Sequence, residues 1–163
     1  MSGIPARVAL VSMHTSPAAQ PGTGDAGGMN VALRSLATEL ARHGVEVELL
    51  TRASGDPSER QLEPGVVLHE LAAGPRGPIP KEGLSAVSDA FGEAVAVLAG
   101  RRNSRFDLIH AHYWLSGIAT LPVALEFGLP FVQSFHTLAV MKNSAAMPGS
   151  PREPDRRIQS EAY

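Results

Sequence analysis

Cysteine is absent from the sequence, which excludes a disulfide framework and thiolate metal sites. Aromatic residues make up only 5% of it. No sign of charge is in surplus: 14 Lys and Arg stand against 16 Asp and Glu, a net charge of −2. That balance argues against a dedicated nucleic-acid binder, which carries a basic excess. No apolar run approaches the ~20 residues of a membrane span. The opening MSGIPARVAL has neither a charged n-region nor a cleavage site, so no secretory signal is expected. The expectation is a cytoplasmic domain without a membrane span. At 163 residues, 44% hydrophobic and 18% charged, the chain suits one globular core.

What the sequence does hold is backbone-special residues, 16 Gly and 13 Pro. Five of its few aromatics, Phe106, Tyr113, Trp114, Phe127 and Phe131, fall between 106 and 131. Short β-branched runs at 7–12, 45–51, 66–71, 106–112 and 131–136 read as strands. Between them, Met29, Leu33, Leu36 and Leu40 follow helical spacing, as do Leu84, Val87, Phe91, Val95 and Leu98. A third helix is predicted over 116–127, and 154–163 reads as the opening of another, with Arg157 and Glu161 spaced i, i+4. The polar stretches 52–64 and 144–155 read as connections. Strands alternating with helices predict an α/β fold, a Rossmann-like parallel sheet flanked by helices. Ligands in such sheets bind beyond the carboxyl ends of the strands.

Three polar clusters fall at those ends. Gly22-Thr-Gly24-Asp-Ala-Gly27 matches G-x-G-x-x-G and runs through Gly28 into a helix, whose free N–H groups suit an anion. It is read either as a flexible surface loop or as a phosphate or sugar site. A dinucleotide fingerprint needs its first Gly directly after the strand, and here Met13 to Pro21 intervene. A Walker loop is excluded by Met29-Asn30 in place of Lys-Ser/Thr. His110 and His112 share one side of a strand, but no Glu or Cys nearby completes a metal site, so none is expected. At the last strand end, His136 is either a packed core histidine or a group that meets a sugar hydroxyl or moves a proton. No G-x-S-x-G elbow and no carboxylate pair supports a hydrolase.

These stretches, in this order, resemble the N-terminal domain of family-four retaining glycosyltransferases, enzymes with the two-domain GT-B fold. The likeness is carried by Ser12-Met-His-Thr-Ser-Pro17, Gln20-Pro21, Asp25-Ala-Gly-Gly-Met-Asn30, His110-x-His112-Tyr-Trp-Leu-Ser-Gly117, Phe135-His-Thr-Leu138 and Lys142-Asn143. It is strongest toward the branch that uses inositol phosphate. The sequence departs from that pattern at Ala111, Gln133, Ser134, Phe135 and over 143–152, which bears on the acceptor more than on the reaction.

The resemblance implies that residues 1–163 are the acceptor-side domain, cut short at the C-terminal end, with the donor domain absent. His14, Gln20, Pro21 and Gly28 would line the donor side. Asp25, Ala26, Gly27, Gly28, Met29 and Asn30 would also face the acceptor. Lys81, Tyr113, Thr137 and Arg157 would hold its phosphate or hydroxyls, with Arg156 as the alternative to Arg157. His136 would sit against the reacting sugar as the catalytic group. No tightly bound cofactor is implied; a UDP-sugar is a substrate. Implied partners are a sugar-phosphate or polyol acceptor, a separate donor-domain chain and a second copy of the chain. Little turnover is expected from these residues alone. The alternatives are a non-catalytic phosphosugar-binding remnant, one half of a split enzyme, and a nucleotide-dependent oxidoreductase.

Overall fold

The computed structural model describes residues 5–20, 22, 27–101 and 105–162. Every strand predicted from an apolar run forms: β1 Arg7–Val11, β2 Glu46–Arg52, β4 Val66–Leu71, β5 Leu108–His112 and β6 Phe131–Ser134. A strand lies where a polar connection is expected, β3 at Ser58–Glu63. It pairs antiparallel with β4 at the sheet edge, with a register shift between Gln61 and Glu63. All other pairings are parallel, in the order β3-β4-β2-β1-β5-β6.

The pleat divides the core between the two faces. Val8 and Leu10 of β1 pack with Val47, Leu49, Leu33 and Ala37, the last two from α1 (Gly28–Arg42). Ala9 and Val11 face the other way, toward Phe91, Val95, Leu115 and Ala119 of α2 (Ser88–Ala99) and α3 (Trp114–Phe127). A 3-10 turn, Lys81–Val87, leads into α2. Two short helices close the chain, α4 at Ala139–Ala145 and α5 at Asp155–Glu161. Helix α4 is not foreseen from the sequence, because only Ala139 of it is buried and no apolar period shows.

From β1 the chain crosses over α1 to β2 on one side, and β5 lies against β1 on the other. Loops leaving β1 and β5 therefore diverge and open a crevice between them. Among the described residues, no helix is long and apolar enough to cross a membrane.

Helices α2 and α3 meet with almost no clearance at Gly92. A Cβ there would lie 2.4 Å from the carbonyl oxygen of Ala119. Backbone cannot swing aside, so Gly92→Ala is expected to destabilise the fold by about 2 kcal/mol in urea unfolding. Gly117→Ala meets only the side-chain end of Gln133, and should cost less than Gly92→Ala in the same measurement.

Candidate active-site crevice

Beyond β1 the chain is pinned rather than loose. Met13 N–H donates to Ser116 Oγ at the start of α3 (3.0 Å), and Ser12 Oγ donates to the carbonyl of Thr15 (2.8 Å). Asn30, 1% exposed, ties α1 to the same loop: its amide nitrogen donates to Thr15 Oγ1 (3.1 Å) and the Ser16 carbonyl (2.7 Å). Its Oδ1 has no partner among the described residues. The N-cap of α1 is Gly27, with no side-chain hydrogen bond capping the first turn among the described residues. A Cβ on Gly27 or Gly28 would meet nothing within 4 Å among the described residues, so packing gives no reason for glycine there.

Beyond β5 stands Tyr113, with φ 70°, and beyond β6 stands His136, with φ 63°. Among the described residues these are the only non-glycine residues with positive φ. Such backbone costs energy and survives only where neighbours impose it. Tyr113 is held by its N–H donating to the Ser134 carbonyl (2.7 Å) and by Gln133 Nε2 donating to its own carbonyl (3.3 Å). Its ring centroid lies 4.4 Å from that of His14, 5.0 Å from Lys81 Nζ and 4.8 Å from the Arg157 guanidinium. Two cations over one aromatic ring are a favourable arrangement.

His110, His112 and His136 form a row. The rings of His110 and His112 are 4.1 Å apart, and His110 Nε2 bonds Ser134 Oγ at 2.9 Å. His112 Nδ1 lies 2.9 Å from His136 Nε2. That is a direct hydrogen bond; two nitrogens sharing a tetrahedral zinc would stand about 3.4 Å apart. Burial, reinforced by His110 and His136, pushes the His112 imidazole down to about 3. Burial also lowers His110, with help from His136, and lowers His136 itself. The row is neutral near neutral pH.

The other wall is charged. Lys81, Tyr113, Lys142, Arg152, Arg156 and Arg157, with Glu82 and Glu153, line a cavity of about 690 Å³. The resemblance implies that Arg157 helps hold the acceptor, and in the structure its donors already have protein partners. Arg157 is 2% exposed, and its donors go to Glu161 (2.6 Å), Glu153 (2.8 Å) and the carbonyl and hydroxyl of Thr137 (2.7 and 3.2 Å). Burial alone would lower its pKa; the bonds to Glu161 and Glu153, with the pull of Tyr113 and Glu161, together outweigh that and hold the guanidinium charged. Arg156, the alternative, is exposed at the cleft.

Glu153 is a site residue that sequence reasoning misses. It pairs with both Lys142 and Arg157, and Asn143 fixes its backbone on both sides. Burial would raise its carboxyl, but the bonds from Lys142 and Arg157 win and lower it. The i, i+4 step from Glu153 to Arg157 is the one signal that could have found it. Of the other expected residues, Tyr113, Lys81, Thr137, His14 and His136 converge on the crevice. Gln20 and Asn30 line a separate cavity of about 320 Å³ with Arg34 and Pro17. Met29 packs partly into the core. Pro21, Asp25 and Ala26 lie outside the described residues.

A family model described as "Glycosyl transferase 4-like domain" matches residues 27–162. The chain belongs to that family. D-inositol 3-phosphate glycosyltransferases from Pseudarthrobacter chlorophenolicus and Thermobifida fusca are 47% and 44% identical to this transferase domain, over 93% and 96% of it. In each case the chain spans 37% of the relative's length. Among solved structures, the sucrose-phosphate synthase of Thermosynechococcus elongatus superposes with a TM-score of 0.87 at 32% identity, covering 95% of this chain and 39% of that one. The fold is that of the N-terminal domain of GT-B glycosyltransferases, as the sequence resemblance implies.

The neutral histidine row links stability of the transferase domain to pH. The folded value of His112, about 3, lies below the ~6.5 of an unfolded histidine, so the unfolded chain takes up that proton first. Stability is therefore expected to fall as pH drops from about 6.5, by up to about 1.4 kcal/mol per unit for this one group. Urea unfolding between pH 8 and about 5, where most carboxylates stay ionised, should show the loss. His112→Phe should flatten it.

Proposed function

We propose that this chain is the acceptor-side domain of a retaining hexosyltransferase. The complete enzyme would move a hexosyl group, such as N-acetylglucosamine, from a UDP-sugar to a phosphosugar or polyol acceptor. The observation that carries this reading is the cation-lined cleft around Tyr113, whose Arg157 also bonds Thr137, the residue next to His136. An apolar ring body with cations about it fits a small ring compound bearing phosphate. The names of the relatives agree with an inositol phosphate as that compound.

In this reading Lys81 and Arg156 meet the acceptor phosphate, Tyr113 packs against its ring, and Thr137 meets a hydroxyl. Arg157 orders the site from below, because its bonds to Thr137 and Glu161 fix that loop onto α5. Glu153 already occupies Lys142 and Arg157, so an incoming phosphate competes with a resident carboxylate for the same cations. On the donor side, the first turn of α1 at Gly27 and Gly28, which no side chain of the described residues caps, would take the diphosphate against its N–H groups. His136 lies against the reacting sugar. Stabilisation of the leaving diphosphate rests mainly on fixed charges, which the resemblance puts in a second domain, so turnover by these residues alone is expected to be negligible.

Calorimetric titration tests the acceptor half directly. The chain is expected to bind D-inositol 3-phosphate and to bind inositol at least about tenfold more weakly, with Lys81→Ala losing about tenfold for the phosphate. Equal affinity for the two ligands would overturn the reading. Glu153→Gln removes the competing carboxylate and should tighten phosphate binding by about fivefold at low salt.

A further inference from the structure

The row Ser134, His110, His112, His136 runs outward from the sheet, and only its last member is exposed. His136 reaches that place on strained backbone, φ 63°, with Thr137 N–H donating to the Phe135 carbonyl across it (2.8 Å). An exposed ring on such a turn is free to rotate unless something inside holds one of its nitrogens. His112, 4% exposed, does so through the 2.9 Å contact between its Nδ1 and His136 Nε2.

Both rings are neutral, so the shared proton belongs to one of them. If His136 donated, His112 would carry its own proton on Nε2, which is buried and has no partner among the described residues. That would strand an N–H donor in the interior. If His112 donates, its Nε2 is only a bare lone pair, and orphaned buried donors are the rarer defect. We propose that His112 is a positioning residue: its Nδ1–H donates to His136 Nε2, which fixes His136 in the Nδ1–H form with that proton offered to the cleft. This rests on the reading of His136 as the group beside the reacting sugar. It deepens that reading by making His136 a hydrogen-bond donor to a sugar oxygen. His112, whose charged form burial disfavours, holds the donor and does not itself exchange protons.

Long-range proton–nitrogen correlation on nitrogen-15 histidine-labelled chain, near neutral pH, reads the tautomer of each ring without any ligand. His136 is expected as the Nδ1–H form in the parent chain. It should stay so in His112→Asn, whose side-chain amide supplies a donor where Nδ1 stood. In His112→Phe the Nδ1–H fraction should fall at least twofold. His136 found as the Nε2–H form in the parent, or unchanged in folded His112→Phe, overturns the proposal. Should His112→Phe lose its native amide spectrum, the parent and His112→Asn spectra decide. The tautomers are read whether or not an inositol phosphate binds, so failure here and failure of the acceptor titration are separate results.

Discussion

The parallel pairing of β1 with β5, set against β2 on the other side of β1, is the constraint on which the site depends. Because the chain leaves β1 toward one side and reaches β5 from the other, no connection passes over the point between them. Met13 and Tyr113 emerge there side by side, and the Met13–Ser116 bond stitches the first loop to the first turn of α3. His14, His112, Tyr113 and His136 hang from that seam or from the neighbouring end of β6, while Lys81 comes from the 3-10 turn and Arg157 from α5. The apolar alternation of β1, with Val8 and Leu10 to one face and Ala9 and Val11 to the other, keeps the seam in register.

Two kinds of electrostatics meet across Tyr113. On one side stand imidazoles that burial keeps uncharged; on the other, cations that carboxylates keep charged. They call for different surroundings: a neutral row tolerates a dry interior, whereas Arg157 survives at 2% exposure only because Glu153, Glu161 and Thr137 use its donors. The positive-φ backbone at Tyr113 and His136 falls at the ends of β5 and β6, where these two groups of side chains begin.

How much of this was legible in the sequence follows from what makes a pattern visible. Strands buried on both faces, such as β1 and β2, declare themselves as apolar runs, and α1 and α2 do so by their period. Strand β3 reads SERQLE and is mostly exposed, because an edge strand needs only backbone bonds to β4 and leaves no hydrophobic trace. Of the candidate site, the histidines and Tyr113 stand out at strand ends in the sequence, whereas Lys81 and Arg157 enter it only through the family resemblance. The contact of His112 with His136 is not legible there, since 24 residues separate them and pairing of β5 with β6 alone brings them together. Glu153 escaped for a related reason: it lies in a polar stretch read as a connection, and its part in the site depends on the cations it faces.

Glu153 also shows why charge counting understates such a cleft. The chain as a whole is slightly acidic, at −2, yet Lys81, Lys142, Arg152, Arg156 and Arg157 gather around one cavity, with Glu82 and Glu153 in the same lining and Glu161 bound to Arg157. A wall of cations left unopposed would repel itself and bind anions indiscriminately. By spanning Lys142 and Arg157, the Glu153 carboxylate holds these two cations together. The same carboxylate sets a threshold, because a ligand must offer enough charge, correctly placed, to compete with it. A neutral polyol of the same shape cannot. In the proposed reading, discrimination between phosphorylated and plain acceptors would arise from an acid already inside the site, and the cations would need no finer tuning of their own.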